Sequence, residues 1–298
     1  MFMPLPGIYE PSAIQQLPDG RFLVVEDEKT HPFSLVSIRL DGMTSSTPLA
    51  MASPEDGFVK LDDLEGIASD AAGQLYAITS HSRSGKGEEK PARDRLLRFR
   101  VEDGRATAPV VVAGLKAALT AAHPLLAAAA ALRDVKAEGG LNIEALEMTA
   151  DGQRLLLGFR SPLSAGRALI ASIENPAEIF DSGVSPRIAP QLEILDLDGH
   201  GLRGMSFIPA LNGHLLISGP VAKELAQFRL WFWSGRTGEA PHQVSYPGLP
   251  GFAHAEGVAP ALIDGQQKIV IVSDDGDRAA GRPAGFLLLD PVRLQIAD

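Results

Sequence analysis

Glu10-Pro-Ser-Ala-Ile14, Glu65-Gly-Ile-Ala68, Glu144-Ala-Leu-Glu147 and Glu256-Gly-Val-Ala259 are four acidic openings to four apolar stretches. Arg203-Gly-Met-Ser-Phe207 is a fifth unit, with arginine in the glutamate's place. Each leads into a turn, at Asp19-Gly20, Gly73, Asp151-Gly152, Gly213 and Asp264-Gly265, and then into a hydrophobic run at 22–25, 75–78, 155–157, 215–217 and 269–272. The units recur at spacings of 53 to 79 residues. Repeated strand pairs at such spacings predict a β-propeller.

Working outward, each pair is followed by a third strand, expected at 35–40, 96–101, 168–173, 228–233 and 286–289. A fourth is expected at 47–51, 109–113, 191–195 and 243–246. The fifth unit runs out of chain before its fourth strand, and the N-terminal segment 5–9 supplies it. This predicts an all-β, five-bladed ring in a single domain, with a six-bladed ring as the alternative if a divergent blade lies in 102–142 or 174–200. Closure by the N-terminus protects sheet edges that would otherwise be open. The Ala- and Leu-rich segment near 115–138 is a helical insertion, interrupted at Pro124. It reads as a structural insertion packed on the ring, or as a lid.

The chain has 298 residues, 45% of them hydrophobic and 21% charged, with a net charge of −10 and no cysteine. The acidic balance argues against nucleic-acid and anionic-membrane partners and leaves a small anionic molecule open through a metal or a few arginines. Absence of cysteine removes thiolate chemistry and Cys-ligated zinc. The first twelve residues do not read as a signal peptide, so a cytoplasmic location is expected, or a periplasmic one if a signal was removed.

In a propeller the loop entering the first strand and the loop leaving the second lie on one face. The notable polar residues fall in those loops: Glu10, Glu65, Asn142, Glu144, His200, Arg203, His254 and Glu256 before first strands. Glu26, Asp27, Glu28, His81, Arg83, Arg160, Ser218 and Asp274 follow second strands. Binding residues favour loops at one end of a rigid scaffold. Converging glutamates repel, so they need a divalent cation, most suitably Ca²⁺ or else Mn²⁺ or Mg²⁺, or pairing with arginine. The expected metal set is Glu10, Glu65, Glu144, Glu256 and Asp274. The expected substrate-handling set is His81, Arg83, Arg160, Arg203 and His254. Trp231 and Trp233 read as packing residues, and His31, His123, His214 and His242 as surface residues.

Leu64-Glu-Gly-Ile-Ala68, Ser80-His-Ser-Arg83, Gly140-Leu-Asn-Ile-Glu144, Gly158-Phe-Arg-Ser-Pro162, Gly201-Leu-Arg203 and Ser273-Asp-Asp-Gly276, in this order, resemble a bacterial family of propeller proteins of unknown function. That family is similar to the esterase-like phytases and the SdiA-regulated proteins, which share the repeated Glu-Gly. The resemblance implies the propeller, a calcium site and phosphoester hydrolysis. Glu144-Ala145 and Arg203-Gly204 depart from the Glu-Gly pattern. Two functions compete: a metal-dependent hydrolase of an anionic (phospho)ester, and a propeller that binds a ligand or partner without turnover.

Overall fold

The computed structural model describes residues 2–27, 31–51, 61–222 and 227–297, except the Lys136 side chain. Glu28, expected on the functional face, lies outside the described residues. In chain order the strands are β1 (Met3–Leu5), β2 (Pro11–Gln16), β3 (Phe22–Glu26), β4 (Phe33–Ile38), β5 (Thr44–Pro48), β6 (Leu64–Ser69), β7 (Leu75–Thr79), β8 (Leu96–Glu102) and β9 (Arg105–Val112). Helices α1 (Leu115–Ala122), α2 (Pro124–Ala131) and α3 (Val135–Glu138) intervene. Then come β10 (Asn142–Met148), β11 (Leu155–Ser164), β12 (Arg167–Ile173), α4 (Pro176–Ser182), β13 (Glu193–Leu195), β14 (Gly201–Ile208), β15 (Gly213–Gly219), β16 (Arg229–Trp233) and β17 (His242–Ser245). The last are β18 (Ala255–Ile263), β19 (Gln266–Ser273), β20 (Ala284–Leu289) and β21 (Gln295–Ile296).

These strands form five antiparallel sheets: β2–β5, β6–β9, β10–β13, β14–β17 extended by β21, and β18–β20 completed by β1. The fold is a five-bladed propeller. The six-bladed alternative fails because 102–142 holds β9 and three helices, and 174–200 holds α4 and the fourth strand β13. The closing strand is Met3–Leu5, paired with β20 from Met3↔Phe286 to Leu5↔Ala284, rather than the expected segment 5–9. Pro6 has no amide hydrogen to donate, and Gly7 at φ 85° turns the chain so that Ile8 N donates to Leu5 O. The sequence did not announce β21, which pairs Val244↔Ile296 and Ser245↔Gln295 and so covers the outer edge of the fourth blade.

The inner hairpins follow from local chemistry. At Asp264-Gly265 both residues have positive φ, the requirement of the favoured two-residue hairpin turn. The strands around it are β-branched and buried: Ile269, Val270, Ile271 and Val272 are each 0% exposed. Such doubly buried strands need an apolar layer on both faces. The core accordingly divides into clusters, one at each seam between adjacent blades. Trp231 and Trp233 pack in the seam between the third and fourth blades, as expected. His123 and His214 correct the surface reading: both are buried, His123 Nε2 lying 3.0 Å from Ala189 O and His214 meeting Phe207 edge-on and Trp233 at a tilt.

The helical insertion is seated on the ring. Leu115, Leu119 and Leu126 are fully buried in the seam between the second and third blades. Among the described residues no helix is long and apolar enough to cross a membrane.

Candidate functional site

The first strand of every blade loses register at a matching place: between Pro11 and Ala13, Leu64 and Gly66, Ile143 and Ala145, Leu202 and Gly204, and Ala255 and Gly257, with a second shift in β10 between Asn142 and Ile143. The bulged residues are Ser12, Glu65, Glu144, Arg203 and Glu256. A bulge takes its residue out of the ladder and re-aims the side chain. Two residues further on, Ile14, Ile67, Leu146, Met205 and Val258 meet across the axis, leaving a void of about 10 Å³. They close the channel below the charged ring. This register corrects the sequence alignment, in which Glu10 matched the other glutamates. Ser12 holds that position, and Glu10 stands above it, exposed on the rim.

The residue after each bulge is small because neighbouring first strands nearly touch there. A Cβ on Gly66 would lie 2.8 Å from Leu146 Cβ, and one on Gly204 would lie 2.0 Å from Glu256 O. The Glu-Gly repeat is thus half ring chemistry and half blade packing. Gly204→Ala should destabilise the fold by about 1–3 kcal/mol. Equilibrium denaturation tests this, and an unchanged midpoint would refute the close approach.

Above the floor opens a bowl of about 470 Å³. Its walls include eight carboxyl residues (Glu10, Asp27, Asp63, Glu65, Asp134, Glu144, Glu256 and Asp274) against four arginines (Arg83, Arg93, Arg160 and Arg203). Loops before first strands and after second strands both contribute, as the strand directions require.

Arg203 is the hub. Its guanidinium pairs with Glu256 through Nε at 2.8 Å and through Nη2, and its Nε lies 2.9 Å from Glu144 Oε2. Arg160 Nη1 donates to Glu144 Oε1 at 3.1 Å, and Asn142 Nδ2 donates to the same oxygen at 2.7 Å. Burial works against the charge on Arg203, but Glu144 and Glu256 outweigh it and hold the proton more firmly than usual. Burial pushes Glu256 up to about 7 even with Arg203 beside it. Glu65 faces the bowl half-buried and has no hydrogen bond or ion pair among the described residues. Burial first, then the charges of Glu144, Asp63 and Glu256, raise it well above the carboxylate range. Asp27 is pushed up to about 6 by burial and by Asp63.

Of the ten expected site residues, Glu10, Glu65, Arg83, Glu144, Arg160, Arg203, Glu256 and Asp274 line the bowl. His81 and His254 do not. His81 is buried behind the wall, with Nδ1 2.7 Å from Thr79 O and Nε2 3.2 Å from Asp94 Oδ1. His254 is exposed and stacks on Phe228 at 5.5 Å. Arg83 turns its guanidinium outward, donating to Ala130 O and Gly87 O and pairing with Glu89 at 2.7 Å. It therefore anchors the helical insertion, whose Asp134 and Val135 form part of the bowl's wall.

The expected metal set is not gathered into a ligand shell. Among the described residues no group of three or more His, Asp or Glu is arranged to hold a metal ion. Between Glu144 and Glu256 lies the Arg203 guanidinium, which occupies their oxygens and adds a positive charge where a cation would sit. The donor set therefore does not fit a divalent ion bridged by Glu65, Glu144 and Glu256.

Sequence reasoning missed Ser12, Asp63 and Arg93. Asp63 accepts from Ser82 at 3.1 Å and pairs with Arg93 at 2.9 Å. Asp63 stands two residues before Glu65, a spacing that could have drawn attention to it. Nothing in the sequence ties Arg93, at the end of a short turn before β8, to that carboxylate.

Glu147 was quoted in the repeat and given no role. It is buried below the ring, and burial pushes it up to about 8 despite hydrogen bonds from Ser206 and the Phe207 amide. Its folded value lies above the ordinary 4.5, so the native state holds a proton that the unfolded chain releases above that pH. Stability from this group is fully present below about 4.5 and is lost as pH rises toward 8. Glu147→Gln should flatten that loss and raise the Tm at pH 8.5 by about 2–4 °C. Melting curves from pH 5 to 8.5 check it; parallel curves for the two proteins would refute it.

Among solved structures, the chain is similar to an oxidoreductase (glucose dehydrogenase) from Thermus thermophilus, at 16% identity and TM-score 0.48, covering 97% of this chain and 99% of that one. It is similar at 16% identity and TM-score 0.48 to the PQQ-bound aldose sugar dehydrogenase of Streptomyces coelicolor, with 99% and 98% covered. A gluconolactonase from Xanthomonas campestris follows at 16% identity and TM-score 0.42, with 99% and 86% covered. No curated protein matches the chain. The likeness to esterase-like phytases and SdiA-regulated proteins is not among what these matches show. A family profile described as "Protein of unknown function (DUF3616)" matches residues 132–285, just over half of the chain, and takes in the third and fourth blades with much of the fifth. The chain belongs to that family.

Proposed function

We propose that the bowl is a hydrolytic site for a small ester, neutral or singly charged, and that Glu65 is its proton donor. The observation that carries this reading is the isolation of Glu65. It is the ring carboxyl that no arginine clamps, it faces the cavity, and burial first, then three acidic neighbours, favour its protonated form. Carboxyl groups whose surroundings push their pKa values apart are suited to divided acid and base roles. Arg203, Arg160 and Arg83 are each engaged by a glutamate. That argues against a free anion clamp and against a highly charged phosphoester such as a polyphosphate. A carboxylic ester or a phosphodiester suits the acid surplus better. The role of a bridging cation falls instead to Arg203.

The test is a panel of chromogenic carboxylic and phosphate esters at pH 6–8, run with EDTA and with added Ca²⁺. Turnover should be indifferent to both additions, and Glu65→Gln should lower kcat/KM by about 10²–10⁴-fold with the fold retained. Turnover abolished by EDTA would restore the metal mechanism. A ligand that binds in the bowl while no ester is turned over would make the protein a binding propeller.

A further inference from the structure

In the wall of the bowl, the Ser80-His-Ser-Arg83 loop is built around one carboxylate, Asp63. Asp63 Oδ2 accepts from Ser80 Oγ and from Ser82 Oγ, the latter at 3.1 Å, and pairs with Arg93 Nη1 at 2.9 Å. Arg93 Nη1 also donates to Ser82 Oγ at 3.0 Å. Two non-glycine residues, Asp63 at φ 65° and His81 at φ 58°, hold the left-handed backbone that makes this possible. Such conformations disfavour L side chains and persist where the surroundings enforce them. Here the enforcement is visible. The His81 ring is locked between Thr79 O and Asp94, and its amide donates to Arg93 O at 2.8 Å. The chain then turns back, so that Ser82 and Asp63 both line the bowl alongside Glu65. Ser80, fully buried, does not reach it.

We infer that Ser82 is the nucleophile of this site, with Asp63 as its base. The inference rests on the hydrolytic reading of the bowl. A serine is a weak nucleophile until a neighbouring group takes its proton, and an adjacent cationic donor favours the oxyanion that results. In the first half-reaction Ser82 Oγ forms a bond to the ester's carbonyl carbon while its proton passes to Asp63 Oδ2. The bond from carbon to the leaving oxygen breaks, and that oxygen takes the proton of Glu65 and departs as an alcohol. In the second, water adds to the acyl-serine and gives a proton to the Glu65 carboxylate. The acyl–Oγ bond breaks and Ser82 recovers its proton from Asp63. The sum is ester and water to acid and alcohol, with every group restored. Arg93 holds the Asp63 carboxylate against Ser82 and is a positioning residue.

The full-length protein is treated with a fluorophosphonate probe, which reports reactive serines without needing the natural substrate. Intact mass and peptide mapping should find one phosphonyl group, on Ser82. Asp63→Asn should slow the labelling by about 10²-fold or more, and Ser82→Ala should take no label while melting cooperatively. No adduct on the wild-type protein, or an adduct on another serine, overturns the inference. So does ester hydrolysis at the wild-type rate in Ser82→Ala, an outcome that leaves the bowl and Glu65 as the hydrolytic site. Labelled Ser82 in a protein that turns over no ester has the opposite meaning: the nucleophile stands and the ester reading falls.

Discussion

Arg203→Met is expected to lower the unfolding free energy by about 3–5 kcal/mol, the range for removing one partner from a buried ionic cluster. Arg203 is 9% exposed and meets two carboxylates, Glu144 and Glu256, that are 4% and 5% exposed. Methionine keeps much of the volume but loses the guanidinium's contact with Phe228 and removes the positive charge between the two carboxyls. Glu144 keeps Arg160, but Glu256 loses its arginine and relieves the repulsion by taking up a proton, so the deficit should shrink as pH falls. The triple variant Arg203→Met, Glu144→Gln, Glu256→Gln should recover most of the loss, because neutral amides have no charge to bury. Urea titrations of the single and triple variants at pH 6 and 8 measure this. A single variant as stable as the wild type at pH 8 would show that Arg203 is not what neutralises the ring.

Deleting residues 1–5 should have an effect at least as large. β1 supplies the fourth strand of the last blade, and Leu5 is 0% exposed in the seam between that blade and the first. Truncating one such buried leucine to alanine removes about 2–5 kcal/mol. The deletion also removes the ladder to β20 and leaves that strand's outer edge open, a template for pairing with other chains. A lower Tm together with concentration-dependent association by light scattering is the expected result. Leu5→Ala separates the two effects, since it keeps the ladder and should lower stability without association. A monomeric deletion variant with unchanged Tm would mean that the ring closes elsewhere.

The bowl's chemistry was less legible than its location. Strand direction alone placed Glu65, Glu144, Glu256, Arg160 and Asp274 on one face, because loop polarity in a propeller follows from chain order. What those groups do depends on which arginine reaches which carboxylate, and that is a matter of a few ångströms. Arg203 looked like a departure from the repeat and proved to be the ring's hub. Arg83, one residue after Ser82, looked like its equal and points away into the helical insertion. Glu10 and Ser12 exchanged places because charge was aligned rather than the apolar floor. Ile14, spaced from Ser12 as Ile67 is from Glu65, carries the correct register.

By itself the chain determined the propeller class with five or six blades, the order of strands within each repeat, the need for an N-terminal partner in the last blade and the face on which the polar loops gather. These are properties of local pattern, because alternation, turn residues and repeat spacing act over a few residues at a time. Tertiary structure decided the rest. It put a bulge at each ring position, closed the channel with five apolar side chains, drew β21 across to the fourth blade and joined Asp63 to Ser82 and Arg93. Each of these joins residues distant in sequence, and their energies arise from burial and charge in a shared space, which no local pattern encodes.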